Sequence, residues 1–167
     1  MFAQMTGALQ VIVLCLISGV WIAAKGECVT VEDDCGDPCP AGWAQLAARC
    51  YQFQKNAKSW ADAERHCTLL SGNLASIQSP GQYAFLRDMV YKETRSHREI
   101  WLGGYDAVKN GVWLWSDGSQ FLFTGWARGE PNDHWGEGCM EMNHRGRDYI
   151  NDSKCPHKKP YICARDP

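Results

Sequence analysis

The chain has 167 residues, 45% of them hydrophobic and 11% aromatic, and a formal net charge of −2. That length suits one ordinary domain with its own core. A charge this close to zero gives no reason to expect nucleic acid or an anionic membrane as partner, and the mixed stretch from Lys92 to Glu99 and the Lys158-Lys159 pair read as solvated surface.

Leu9 to Trp21 is an apolar run broken only by Gln10, Cys15, Ser18 and Gly19, and small residues follow at Ala23-Ala24-Lys25-Gly26. The pattern predicts a signal peptide over residues 1–26, cut after Gly26 or Ala24, although a basic first segment is missing. A membrane anchor needs about 20 apolar residues in a row, which this run does not reach. The expectation is a secreted, extracellular protein without a membrane span. Cysteine usage agrees. Of nine cysteines, Cys15 lies in the leader, leaving an even set at Cys28, Cys35, Cys39, Cys50, Cys67, Cys139, Cys155 and Cys163. In an exported chain such a set implies disulfides rather than zinc, but the residues alone do not say which cysteines pair.

Residues 27–38 are short, acidic and punctuated by Gly and Pro, a tail ahead of the domain at 39–167. Loose alternation around aromatic residues from Trp43 to Phe53 predicts a hairpin. Ser59-Trp60-Ala61-Asp62 opens a helix, with Ser59 as cap and Asp62 in the first turn. Trp60, Ala63, Cys67 and Leu70 share one face, and Gly72-Asn73 stops the helix. Ser79-Pro80-Gly81-Gln82 starts a second helix with an N-cap, a first-turn proline and a capping-box glutamine. Phe85, Leu86, Met89 and Val90 form its predicted buried stripe. Ile100-Trp101-Leu102, Val112 to Trp115, Cys139 to Met142 and Pro160 to Cys163 read as strands. Between Asp117 and Gly138 lies a Gly-, Asp- and Asn-rich segment with no apolar repeat, long enough to be functional. Helices first and strands later make an α+β domain.

Between Glu130 and Asp152 lie Glu130, Asn132, Asp133, Glu137, Asn143, Asp148, Asn151 and Asp152. Oxygen-bearing side chains gathered in loops are what a hard cation such as calcium requires. Asp and Asn are also common turn residues, and on composition alone that account is the stronger.

Several ordered signals resemble the C-type lectin-like domain family over nearly all of residues 39 to 164: Cys39-Pro40-Ala41-Gly42-Trp43 with Cys50-Tyr51, then Trp60, Ala63 and Cys67, then Gly72 to Ile77. Trp101-Leu102-Gly103-Gly104, Trp113-Leu114-Trp115, Asp117-Gly118, Trp126, Glu130-Pro131-Asn132 and Asn151-Asp152 follow in order. The resemblance implies a single disulfide-stapled α+β domain of two helices, short antiparallel sheets and a long calcium-binding loop. It also implies the pairs Cys39–Cys50, Cys67–Cys163 and Cys139–Cys155. Cys28 and Cys35 fall outside that scheme; they either pair with each other or bridge to a second chain, giving a disulfide-linked homo-oligomer.

The family pattern turns the oxygen-rich segment into a site. It implies a Ca2+ ion held by Glu130, Asn132, Glu137, Asn151 and Asp152, with a cis bond between Glu130 and Pro131. Two neighbouring sugar hydroxyls complete the shell, contacting Glu130, Asn132, Glu137 and Asn151. In the family, Glu-Pro-Asn goes with mannose and N-acetylglucosamine, and Gln-Pro-Asp with galactose. Trp135 either stacks on the sugar or folds inward. Three departures stand out: Ile150 replaces the usual Trp before Asn151-Asp152, the Asn132–Glu137 loop is short, and Asn110 and Gly138 sit where an auxiliary site usually has carboxylates. One calcium is therefore expected.

The expected function is calcium-dependent carbohydrate binding in innate immune recognition of glycans. The rivals are a type II antifreeze-like ice-binding protein and a venom-lectin-like protein-binding module. Ice binding favours a Thr-rich flat surface, and threonines are few here. No Gly-x-Ser-x-Gly, His-Glu-x-x-His or phosphate loop occurs and the five histidines are scattered, so no enzyme is expected.

Overall fold

The computed structural model describes residues 39–167; the predicted leader, the acidic tail and the pairing of Cys28 and Cys35 lie outside them. The elements, in chain order, are β1 (Ala44–Leu46), β2 (Arg49–Lys58), α1 (Trp60–Leu69), β3 (Asn73–Leu74), α2 (Pro80–Thr94), β4 (Ile100–Tyr105), β5 (Leu114–Trp115), β6 (Cys139–Met142), a 3-10 turn (His144–Gly146), β7 (Ile150–Ser153) and β8 (Lys159–Arg165).

Both helix starts follow from local chemistry. The Ser59 hydroxyl accepts the Asp62 amide at 3.3 Å, and Ser79 accepts that of Gln82 at 3.1 Å. The expected capping box does not close, because Gln82 is drawn into the core. Its Oε1 accepts from the Gln78 amide, and its Nε2 donates to Tyr51 Oη and the Ser76 carbonyl. The buried face of α2 is accordingly Gln82, Leu86 and Val90, with Phe85 and Met89 packed partly buried beside it.

The strands join in the order β1-β2-β8-β4-β6-β7, with β3 on β8 and β5 on β4. The sheet is mixed rather than antiparallel throughout: β4 and β8 run parallel, paired through Trp101 and Tyr161. Two strands carried no legible pattern. β3 is two residues long, and β7 is the polar run Ile150-Asn151-Asp152-Ser153, buried along its whole length.

Two apolar clusters sit against this sheet, one around Leu86, Ile100, Leu102, Met140 and Ile162 and one around Leu74, Trp101, Tyr161 and Cys163. Three disulfides staple the frame: Cys39–Cys50, Cys67–Cys163 and Cys139–Cys155. The second spans 96 residues of chain and ties α1 to β8. From residue 116 to 138 no helix or strand forms. That loop is packed by its own aromatic rings: Phe121 lies 4.9 Å from Trp115, and Trp126 lies 4.6 Å from Trp113.

The loop begins at a partly buried ion pair. Asp117 Oδ2 accepts from Arg49 Nη1 at 3.0 Å and from Ser76 Oγ at 2.6 Å, while its Oδ1 accepts from Ser119. Burial alone would raise the Asp117 pKa, but the hydrogen bonds from Ser119, Ser76 and Arg49 outweigh it and lower it below the usual value. A carboxyl with a lowered folded pKa contributes stability that is present above about pH 4 and is lost as pH falls through that lower value. Asp117→Asn is therefore expected to cost about 2 kcal/mol near neutral pH. In urea titrations, the gap between the wild type and this variant should close as the pH is taken to about 2.

Candidate functional site

The site forms where the long loop meets the β6–β7 hairpin. The loop is tied to that hairpin's outer strand and then turns back on itself. The Ala127 amide donates to the Ile150 carbonyl at 3.0 Å, and the Glu130 amide turns back to the Ala127 carbonyl at 3.0 Å. The Glu130–Pro131 bond is cis, as the resemblance implied. Across it, Asn132 Nδ2 donates to Glu130 Oε2 at 2.5 Å, so the two flanking side chains face the same way.

Asp152 closes the arrangement from the sheet side. Its side chain is fully buried. Oδ1 accepts the Asn132 amide at 3.2 Å and Oδ2 accepts the Asp133 amide at 2.6 Å. Successive strand residues point to opposite faces, so its neighbour Asn151 is turned the other way. Asn151 lies directly across from Glu141 in the β6–β7 register, and its Nδ2 donates to Glu141 Oε1 at 2.9 Å and to the Asp152 carbonyl. Both Asn132 and Asn151 thus spend amide nitrogen on neighbouring oxygens. The Asn151-Asp152-Ser153 sequon lies on a strand with Asn151 only 5% exposed.

The electrostatics suit a cation. Burial raises the Glu130 pKa, and the adjacent Asp152 carboxylate and then Glu137 raise it further. Glu137 is pushed up by burial and by Asp152. Asp106 is pushed up by burial and by Asp133 and Asp152, against a hydrogen bond from the Gly111 amide. Carboxylates gathered this closely form a negative pocket that a bound cation would relieve. The donor set is all oxygen, which fits a hard ion such as calcium and does not fit zinc. Of the five residues that the resemblance implies as ligands, Glu130, Asn132 and Asp152 are joined by hydrogen bonds and Glu137 lies within the field of Asp152, while the Asn151 amide is turned to Glu141.

Other predicted residues go elsewhere. Asn143 and Asp148 both serve α2: Arg87 Nε donates to Asn143 Oδ1 at 3.1 Å and contacts Asp148 Oδ1 at 3.2 Å, and Tyr83 Oη donates to Asp148. Asp133 meets Asn110 through its side chain. A carboxylate at 138 would be tight, since its Cβ would lie 3.1 Å from Ala107 and would need that residue to give way by a few tenths of an ångström. Trp135 is 79% exposed and stands edge-on to His134, with ring centroids 5.5 Å apart, so it does not fold inward. The six tryptophans from Trp43 to Trp126 that read as core or hairpin packing are all wholly or partly buried in the two clusters.

Sequence reading missed the group behind Asn151. Glu141 is 1% exposed. Its Oε1 also meets His144 Nδ1 at 2.5 Å, and its Oε2 lies 2.7 Å from Lys159 Nζ, an ion pair at an angle outside hydrogen-bond geometry. Lys159 in turn contacts Glu99 at 3.1 Å. Burial alone would lower the Lys159 pKa, but Glu141 and Glu99 raise it overall. The available signal was a glutamate inside the otherwise apolar strand Cys-Met-Glu-Met.

The chain belongs to the lectin C-type domain family, whose model matches residues 56–165. It is 42% identical to ladderlectin of Oncorhynchus mykiss over 83% of this chain and 74% of that protein. It is 40% identical to the galactose-specific lectin nattectin of Thalassophryne nattereri, over 77% and 80%. Among solved structures, the calcium-free form of a Ca2+-dependent type II antifreeze protein superposes with a TM-score of 0.71 at 34% identity, covering 76% of this chain and 99% of that one. These relatives are lectins and antifreeze proteins, not enzymes. Among the described residues no helix is long and apolar enough to cross a membrane.

Asp152→Ala removes the acceptor of two loop amides. Each bond to a charged acceptor is worth roughly 1.5–3 kcal/mol, so amide exchange at Asn132 and Asp133 should quicken by about tenfold or more. Hydrogen-exchange measurements across 130–137 check this, with the amides of β2 as the unchanged reference.

Proposed function

We propose that the protein is a secreted, calcium-dependent lectin with a preference for mannose- and N-acetylglucosamine-type sugars, acting in innate recognition of glycans. The observation that carries this reading is the meeting of Glu130, Asn132 and Asp152, with Glu137 nearby, in a negative all-oxygen pocket at the loop–hairpin junction.

Calcium, when bound, supplies open coordination positions to which neutral alcohol oxygens can add. The chain's own residues do the selecting. Glu130 and Glu137 accept hydrogen bonds from sugar hydroxyls. Asn132 is exposed and can present its amide to the same hydroxyls. Asp152 holds the loop that carries Glu130 and Asn132. The exposed ring of Trp135 offers an apolar face to the sugar's C–H surface. The Glu-Pro-Asn order supports the mannose-type assignment; nattectin, named as galactose-specific, is a relative and not a guide to this chain's sugar. A disulfide bridge through Cys28 or Cys35 to a second copy would raise avidity for clustered glycans without new contacts.

One observation favours a second reading: a type II antifreeze protein shares this fold at 34% identity, which supports ice binding as the alternative. Retention on immobilised mannose in millimolar calcium, with release by chelator, is the expected result, and the same sample should show no thermal hysteresis. Thermal hysteresis without retention would replace the lectin reading. Exchanging Glu130→Gln together with Asn132→Asp should move retention from mannose to galactose columns; unchanged preference would show that these two residues do not set it.

A further inference from the structure

We propose that Glu141 is a positioning residue of the candidate calcium site: its buried carboxylate holds the Asn151 amide with the nitrogen facing Glu141, which leaves the amide oxygen as the atom free for the ion. The inference rests on the lectin reading given above and adds a residue to it.

The two ends of an asparagine amide have nearly the same shape, so only the chemistry around them decides which way it faces. An ionised carboxylate accepts hydrogen bonds and cannot donate them. Glu141 stands directly opposite Asn151 across the β6–β7 ladder and takes its Nδ2 at 2.9 Å. The reversed amide would put Oδ1 against a carboxylate oxygen and would turn an N–H toward a cation, which is unfavourable at both ends. Glu141 can enforce this only if it is held in place with its oxygens turned to donors and cations, and its surroundings do so. Lys159 Nζ lies 2.7 Å from Oε2 and is itself only 11% exposed, and His144 Nδ1 lies 2.5 Å from Oε1. Glu99 holds Lys159 from the other side at 3.1 Å. A carboxylate used on both oxygens has little freedom to swing away. The network therefore runs from the surface at Glu99, through Lys159 and Glu141, to a side chain of the site.

A purely structural ion pair would stabilise the sheet without touching calcium affinity, and the test separates the two. Glu141→Met with Lys159→Met removes both charges together and leaves no unpaired charge inside, a replacement that proteins often tolerate. Calcium Kd from titration calorimetry should rise about 10–100-fold in this double variant, the usual effect of losing a residue that orients a metal ligand. Glu141→Gln keeps one acceptor oxygen and should recover part of the affinity. Asp117→Asn, which weakens an ion pair on another part of the fold, should keep wild-type calcium affinity despite its lower stability. A second readout needs no metal: in chelator-treated wild type, the Asn151 side-chain amide protons should appear by nitrogen-15 NMR as a shifted, slowly exchanging pair. In the double variant they should move to free-amide positions. Unchanged calcium affinity in the double variant, an unchanged Asn151 amide, or an equal loss in Asp117→Asn would overturn the positioning role while the lectin reading stands. Wild-type protein that takes up no calcium would overturn both.

Discussion

The buried carboxylate of Asp152 decides whether the rest of the site exists. It is the point where an irregular loop is fastened to a sheet: two successive loop amides end on its two oxygens. A loop from residue 116 to 138 has no ladder of its own to satisfy its backbone, and buried amides must find partners somewhere. Asp152 supplies them for the stretch that carries Glu130 and Asn132. Its own place is set by pairing with Met140 across β6 and by the Cys139–Cys155 bridge at the end of the same hairpin.

The alternation of β7 then divides labour between adjacent residues. Asp152 faces the loop and Asn151 faces Glu141, so one short strand serves both the loop anchor and the inner polar network. A strand of this composition would be poor if exposed. It is buried on all four residues because every polar side chain in it has a partner or a role. The cost of burying Glu141 is offset by Lys159, just as that of Asp117 is offset by Arg49 at the start of the loop. Glu130 and Glu137 differ from these two: among the described residues neither meets a protein cation at contact distance, and burial, with the nearby Asp152 carboxylate, raises the pKa of each. A chain of nearly neutral total charge thus gathers carboxylates in one place without a contacting protein cation, and the proposed cation site rests on that difference from a structural ion pair.

The exposed Trp135 fits the same division. The other tryptophans of the described domain lie wholly or partly within the apolar clusters, and two of them pack the loop from inside. Trp135 stands alone in solvent on a backbone with positive φ, a conformation that non-glycine residues seldom adopt.

Local chemistry was enough for the helices, the apolar strands and the long loop. Ser59, Ser79 and Pro80 act within one turn of chain, and the apolar pattern of Ile100 to Leu102 reports burial directly. Family resemblance, rather than spacing, supplied the three disulfide pairs and the five site residues. β7 stayed hidden because its polar residues become a strand only when Glu141, Asp133 and Asn132 arrive to satisfy them. The mixed sheet, the pull of Gln82 into the core and the Glu99–Lys159–Glu141–Asn151 chain were likewise decided by tertiary structure. Each joins residues far apart in sequence, and the free energy of a buried polar contact depends on a partner that no local window contains.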